Sequence, residues 1–218
     1  MAANPAPSKL APQELSPNQL AKRQAIVRAA AQLMSNQGVH ACTSRAISQA
    51  SGFSTSALHY YFRDIDEIFD LAIRSVIDRF LSNMQNAADA EADSIDALWA
   101  ACTAYFQHGS DWRDGKKQRA RAPMVWFEYQ AESLRKNDLD TVRELSQRGL
   151  EFIERLVIAA GLPRPEMTAH ALYLALIGAV VRDNLFHRDV TIVLGELSAA
   201  LSIPPSAKYC DLKAARPR

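Results

Sequence analysis

The side chains with the clearest chemistry lie between Thr43 and Arg63. In a helix starting at Ser54, Thr55, Ser56, His59 and Tyr60 fall at i, i+1, i+4 and i+5 and share one face, while Leu58, Tyr61 and Phe62 share the other. The outward face is short, polar and aromatic, and it holds no acid. Such a set trades hydrogen bonds with a polar surface and tolerates a negative one. Arg45, just upstream, adds a planar fork of donors that fits a guanine edge and is worth about 1–3 kcal/mol of discrimination there. The hydroxyls of Thr43, Ser44, Ser54 and Thr55 suit phosphate oxygens, contacts that set position and not sequence.

Covalent chemistry has no comparable set. His40, His59, His108, His170 and His187 make no H-E-x-x-H or other tight ligand spacing, and no G-x-S-x-G, P-loop or dinucleotide fingerprint occurs. Cys42, Cys102 and Cys210 are far apart with no C-x-x-C pair, which suits a reducing cytosol and argues against a zinc module or disulfide framework. A non-enzyme with no catalytic residues, metal or cofactor is expected.

The elements that must position the polar face read as three helices. Ser16-Pro17-Asn18-Gln19 is a capping box with proline at the first helical position, and Ile26, Ala30, Leu33 and Met34 form one buried stripe. Helix 1 is predicted over 17–37, with Gly38 ending it in a left-handed turn. Thr43 caps a short second helix with Ala46, Ile47 and Ala50 inward, and Gly52 stops it where the turn needs positive φ. Ser54 caps the third at once, stapled by Phe53 and Leu58. Two short helices joined by Ser51-Gly52-Phe53 make a helix-turn-helix, whose second helix lies in the major groove with its N-terminal amides favouring phosphate. Charge agrees. Residues 1–63 carry six basic residues against Glu14, net +5, whereas residues 64–92 carry seven acids against Arg74 and Arg79, net −5.

From Lys22 to Ile73 the chain resembles the DNA-binding domain of the tetracycline-repressor (TetR) family. The matching features are Ala29-Ala30-x-x-Leu33, Gly38 followed by Thr43-Ser44-Arg45-Ala46-Ile47, Ala50-Ser51-Gly52-Phe53-Ser54, Leu58-His59-Tyr60-Tyr61-Phe62, and Glu67-Ile68. The resemblance implies that Arg45, Thr55, Ser56, His59 and Tyr60 face bases, and that Thr43, Ser44 and Tyr61 lie nearer the backbone. Two positions depart from the pattern. His59 replaces the usual aromatic, and Ile65 replaces a lysine directed at a phosphate. Either Arg63 or an N-terminal arm with Lys9, Lys22 and Arg23 is expected to compensate.

The rest reads as a helical bundle, so the fold class is all-α: a disordered arm (1–16), a helix-turn-helix domain (17–63), a helical ligand-binding and dimerisation domain (64–203) and a disordered tail (204–218). Asp64 and Glu67 start helix 4, one residue after the third helix and running to about Asn86; its continuity makes it a lever on the head. Either Asp93 or Ser94 starts helix 5, which ends near His108. Residues 110–121 read as an exposed loop. Helix 6 is broken or begins at Pro123, helix 7 covers Leu139 to Ala160, helix 8 about Pro165 to His187, and helix 9 about Val190 to Ser202. Helix 8 is apolar on nearly every side and needs cover on both, which a second copy is expected to supply through a two-fold four-helix interface of helices 8 and 9, with Ala175, Gly178 and Ala179 allowing close approach; a fully internal core helix is the alternative.

The family resemblance implies a cavity among helices 5, 6 and 8, with Trp99, Phe106, His108, Trp126, Tyr129, Tyr173 and Asn184 as ligand contacts and Glu128 as a further polar candidate. The longest apolar run, Ala171 to Val181, is shorter than the roughly 20 residues a membrane helix needs, and no secretory leader is read at the N-terminus, so a cytoplasmic protein is expected. These readings converge on a repressor that binds a palindromic double-stranded operator as a homodimer and is released by a small-molecule effector. A helical protein-interaction module, or a ligand-binding protein without sequence-specific DNA binding, is the alternative. Operator placement decides between repression and activation.

Overall fold

The computed structural model describes residues 15–107, 112–113, 116–117, 121–186 and 188–212. These residues form helices α1 (Pro17–Gln37), α2 (Ser44–Ser51), α3 (Thr55–Tyr61), α4 (Ile65–Asp89), α5 (Ser94–Gln107), α6 (Arg121–Lys136), α7 (Asp140–Ala159), α8 (Pro165–Phe186) and α9 (Val190–Leu201), with a 3-10 turn at Val39–Ala41. A two-residue antiparallel ladder pairs Trp112 with Lys117 and Arg113 with Lys116, where a loop was expected. The all-α class stands, and none of the described helices is long and apolar enough to cross a membrane.

Local signals set most helix starts. Ser16 Oγ accepts the Gln19 amide while Gln19 Oε1 accepts the Ser16 amide at 2.9 Å, closing the capping box. Asp64 accepts the Glu67 amide at 2.9 Å, and Asp93 accepts those of Ile95 and Asp96, so Asp93 and not Ser94 caps α5. Pro123 lies in the first turn of α6, where its missing amide has no helical partner to lose.

The packing divides elsewhere than at Arg63/Asp64. One compact unit takes the chain up to Val76 together with Met124–Glu132, and the other takes Ile77–Pro123 together with the chain from Ser133 onward. The first is centred on Ile26, Met34, Ile47, Leu58, Phe62 and Ile73, all nearly inaccessible. Its α6 segment is held by polar contacts as well. Glu128 Oε2 accepts the Val39 amide at 2.7 Å, and the Tyr129 hydroxyl donates to Asp70. Glu128 thus has a structural partner at a position read as a ligand contact. Gly38 has φ +90 and ψ 170, not the left-handed helical turn expected of it, and a Cβ there would lie 2.7 Å from Glu128 Oε2. Glycine is required twice over, by conformation and by space. Cys42, buried beneath this turn, donates weakly to the Ala30 and Gly38 carbonyls, and burial pushes its thiol up to about 12.

In the second unit α7 packs along α8, with the Tyr173 ring against Gly149, where a Cβ would meet it at 3.3 Å. The segment after α9 corrects the expectation of a disordered tail over 204–218, as far as Leu212. The Trp99 indole donates to the Pro204 carbonyl at 2.8 Å, and the buried Ser206 hydroxyl donates to Asp96 at 2.7 Å. Lys208 Nζ bridges Glu91 at 2.6 Å and Asp96 at 3.1 Å, and the Tyr209 hydroxyl donates to Glu91 at 2.6 Å. The Ser206, Lys208 and Tyr209 side chains thus meet carboxylates at or just before the start of α5, which a reading by composition does not reveal.

Candidate nucleic-acid interface

Hydroxyl chemistry builds the turn between α2 and α3. Thr43 Oγ1 accepts the Ala46 amide at 3.1 Å and Ser54 Oγ accepts the Ala57 amide at 3.2 Å, so both helices are capped as their sequences predict. Gly52 adopts φ +75 and ψ 9, a left-handed conformation, and its amide reaches the Ser48 carbonyl at 3.0 Å. Ser48 Oγ donates to the Phe53 carbonyl across the turn, and Ser51 Oγ accepts the Phe53 amide at 3.4 Å. Beneath, Ile47, Leu58 and Phe62 are buried and fix the two helices on α1. Ala50, expected inward, is exposed; the short α2 buries Ile47 alone, and Ala46 is half-buried.

On the outer side Thr43, Arg45, Ser54, Thr55, Ser56, His59, Tyr60 and Arg63 are exposed, while Ser44 and Tyr61 are half-buried. The two faces of α3 therefore separate as the spacing predicts. A capping hydroxyl accepts an amide hydrogen and keeps its own to donate, so Thr43 and Ser54 can cap their helices and still act as donors. No acid occurs in α2 or α3, and the nearest carboxylates along the chain are engaged. Asp64 pairs with Arg63 Nε at 2.7 Å, and Glu67 pairs with Arg23 at 2.5 Å while accepting the Arg63 amide at 2.6 Å.

Those pairs bear on the position that Ile65 leaves without a lysine. Arg63 is exposed, and its hydrogen bond to Asp64 raises its already high pKa, so it stays charged in a pair that lies open to solvent. Arg23 is otherwise employed. It also donates to the Tyr61 carbonyl at 3.4 Å and lies 4.8 Å above the Phe62 ring, which makes it a clamp across α1, α3 and α4 and not a phosphate ligand. Lys22 is exposed on α1, and Lys9 lies outside the described residues.

The expected ligand contacts do not form one group within either unit. Trp126 and Tyr129 belong to the first, stacked at 6.1 Å with 15° between their planes. Trp99, Phe106 and Tyr173 belong to the second, where Trp99 is inaccessible and hydrogen-bonded to the strap and the Tyr173 hydroxyl bonds Ser146. His108 and the Asn184 side chain lie outside the described residues. The second unit also holds an open cleft of about 440 Å³ between α4 and α7, lined by Asp78, Ser82, Gln85, Arg148, Glu151 and Arg155 among others. It lies apart from helices 5, 6 and 8, where the family resemblance implied a cavity, and Leu81 and Phe152 join its polar lining. No cluster of metal-ligating side chains occurs among the described residues.

A helix-turn-helix with an acid-free outer face, followed by a helical body, is an architecture suited to binding DNA. Residues 26–72 match the family described as bacterial regulatory proteins, tetR family. Solved structures extend the likeness in fold. A transcriptional regulator from Rhodococcus sp. Rha1 is 19% identical, with a TM-score of 0.60 over 76% of this chain and 84% of that one. SmeT, described as the repressor of the Stenotrophomonas maltophilia multidrug efflux pump SmeDEF, is 18% identical with a TM-score of 0.55, covering 84% and 91%. AibR, solved in complex with isovaleryl coenzyme A and operator DNA, is 14% identical with a TM-score of 0.52, covering 73% and 86%. No curated protein matches the chain.

Proposed function

We propose that the protein is a cytoplasmic repressor that binds a palindromic operator as a homodimer and leaves it when a small molecule occupies the helical body. The observation that carries this reading is the exposed, acid-free face of α3 (Thr55, Ser56, His59 and Tyr60), flanked by Arg45 and by capping hydroxyls free to donate. Arg45 reads a guanine, the α3 side chains enter the major groove, and Thr43, Ser44, Ser54, Tyr61 and Arg63 hold phosphates. AibR, with both an acyl-coenzyme A and operator DNA, supports the pairing of effector and operator on this fold.

Dimerisation is supported by α8. Met167, Ala171, Leu174, Gly178 and Val181 recur at intervals of four and three and are all exposed, with Leu174 at 66%, and a Cβ at Gly178 would meet nothing. Ala175 is half-buried and Ala179 buried, so of the three small residues expected at the contact only Gly178 lies in the stripe. A second copy binds through this stripe, and Ala199 and Ala200 on α9 are exposed as well.

Selection of duplexes from a randomised library by the full-length protein tests the reading. Enrichment of a palindrome with half-sites about one to one and a half helical turns apart is expected. R45A should then lose about 1–3 kcal/mol and relax one base pair per half-site. No enrichment in dilute salt would leave the helical protein-interaction module as the better account.

A further inference from the structure

Gln19 performs two tasks with one amide, and their geometry fixes a direction. Its Oε1 accepts the Ser16 amide at 2.9 Å, so its nitrogen must point the other way, and Nε2 lies 3.0 Å from the Tyr60 hydroxyl on α3. An amide nitrogen only donates. The Tyr60 oxygen is therefore the acceptor in this bond, and its own hydrogen remains for another partner. Tyr60 is 52% exposed and its ring stands edge-on to Tyr61, with centroids 5.0 Å apart and planes at 87°, so the hydroxyl is steadied from two sides. Gln19 draws the Tyr60 hydroxyl toward the start of α1. On a helix lying in the major groove, side chains that point away from every other element reach the bases, and those drawn to a flank meet the phosphates that wall the groove.

We propose that Gln19 is a positioning residue for DNA binding, orienting Tyr60 as a hydrogen-bond donor to a backbone phosphate oxygen at the edge of the operator groove. This deepens the proposed operator-binding role and rests on it. It also moves Tyr60 from the base readers, where the sequence placed it, to the contacts that set position.

The test is Q19E. Glutamate at this position keeps the capping box with Ser16, so the start of α1 survives, but a carboxylate beside Tyr60 accepts its hydrogen and leaves the hydroxyl nothing to donate. On the duplex selected by wild-type protein, Q19E should bind about tenfold more weakly, and Y60F by a similar factor. Q19E/Y60F should match Y60F within about twofold, because the hydroxyl that Gln19 orients is already gone. Y60F should weaken operator variants uniformly, with no base pair relaxed. Thermal melting of Q19E close to wild type shows that the fold is kept. The proposal is overturned if Q19E binds like wild type, if Q19E costs the same factor in the Y60F background, which would be charge repulsion alone, or if Y60F relaxes one base pair. A wild-type protein that enriches no duplex would remove the operator-binding role itself, and this proposal with it.

Discussion

Replacing Arg23 with alanine should weaken the fold while leaving the charge contacts with DNA intact. Arg23 pairs with Glu67 at 2.5 Å, with side chains 15% and 27% exposed, donates to the Tyr61 carbonyl and covers the Phe62 ring. A pair this sheltered lies between exposed ones, at about 0–1 kcal/mol, and buried ones, where loss of a partner costs about 3–5 kcal/mol. Glu67 keeps the Arg63 amide at 2.6 Å and is not stranded, while the ring contact contributes about 0.5–1 kcal/mol. R23A should therefore cost about 2–3 kcal/mol in urea unfolding, with an R23A/E67A coupling of about 1–2 kcal/mol. Because the guanidinium is spent on Glu67, the dependence of log K on log salt should be unchanged; a phosphate contact would reduce the slope by about 0.9. A loss below about 0.5 kcal/mol, no coupling, or a slope that falls would refute the assignment of Arg23 as a clamp.

Glu91 is held below the usual carboxylate range chiefly by Lys208 and then Tyr209, and Asp96 chiefly by Ser206 and then Lys208. Stabilisation from a lowered carboxyl is complete above its unfolded value near about 4 and is lost as pH falls through the folded one, so amide exchange of 206–212, relative to the intrinsic rate at each pH, should be slow at neutral pH and accelerate only in acid. K208A should accelerate it at neutral pH, and equal protection of the two proteins would count against the strap. G38A combines a disfavoured φ with a 2.7 Å approach to Glu128 and should cost about 2 kcal/mol in chemical denaturation, only part of it recovered in G38A/E128A. L174E puts a charge in the exposed α8 stripe and should raise the dimer dissociation constant at least about tenfold in sedimentation; an unchanged constant would place the interface elsewhere.

What could be read in advance was what is decided within a few residues. Ser16, Thr43, Ser54 and Asp64 cap helices whose amides lie three positions on, and the spacing within α3 separates its faces because neighbours along the chain settle both questions. Partners far apart in sequence were hidden. Glu128 meets Val39 across 89 positions and Tyr129 meets Asp70 across 59, and neither pairing leaves a local trace. The strap was misread because Pro204-Pro205 and its basic residues look like solvent-loving chain, although Lys208 has two carboxylates waiting. Arg23 was assigned by charge, and burial beside Glu67 overrode that. One hint did exist: an N3 glutamine can cap with its oxygen and still has a donor to place, which is how Gln19 could have been suspected of a second partner.

Because residues 124–132 pack with the head, the unit that carries the helix-turn-helix is not a contiguous stretch of chain. During synthesis α1, α2 and α3 leave the ribosome early, but the Val39 amide and Asp70 wait for Glu128 and Tyr129. A ribosome paused upstream of Met124 would carry a helix-turn-helix with an unfinished support, and a gene fragment ending at Val76 would encode the reading surface without the piece that braces it.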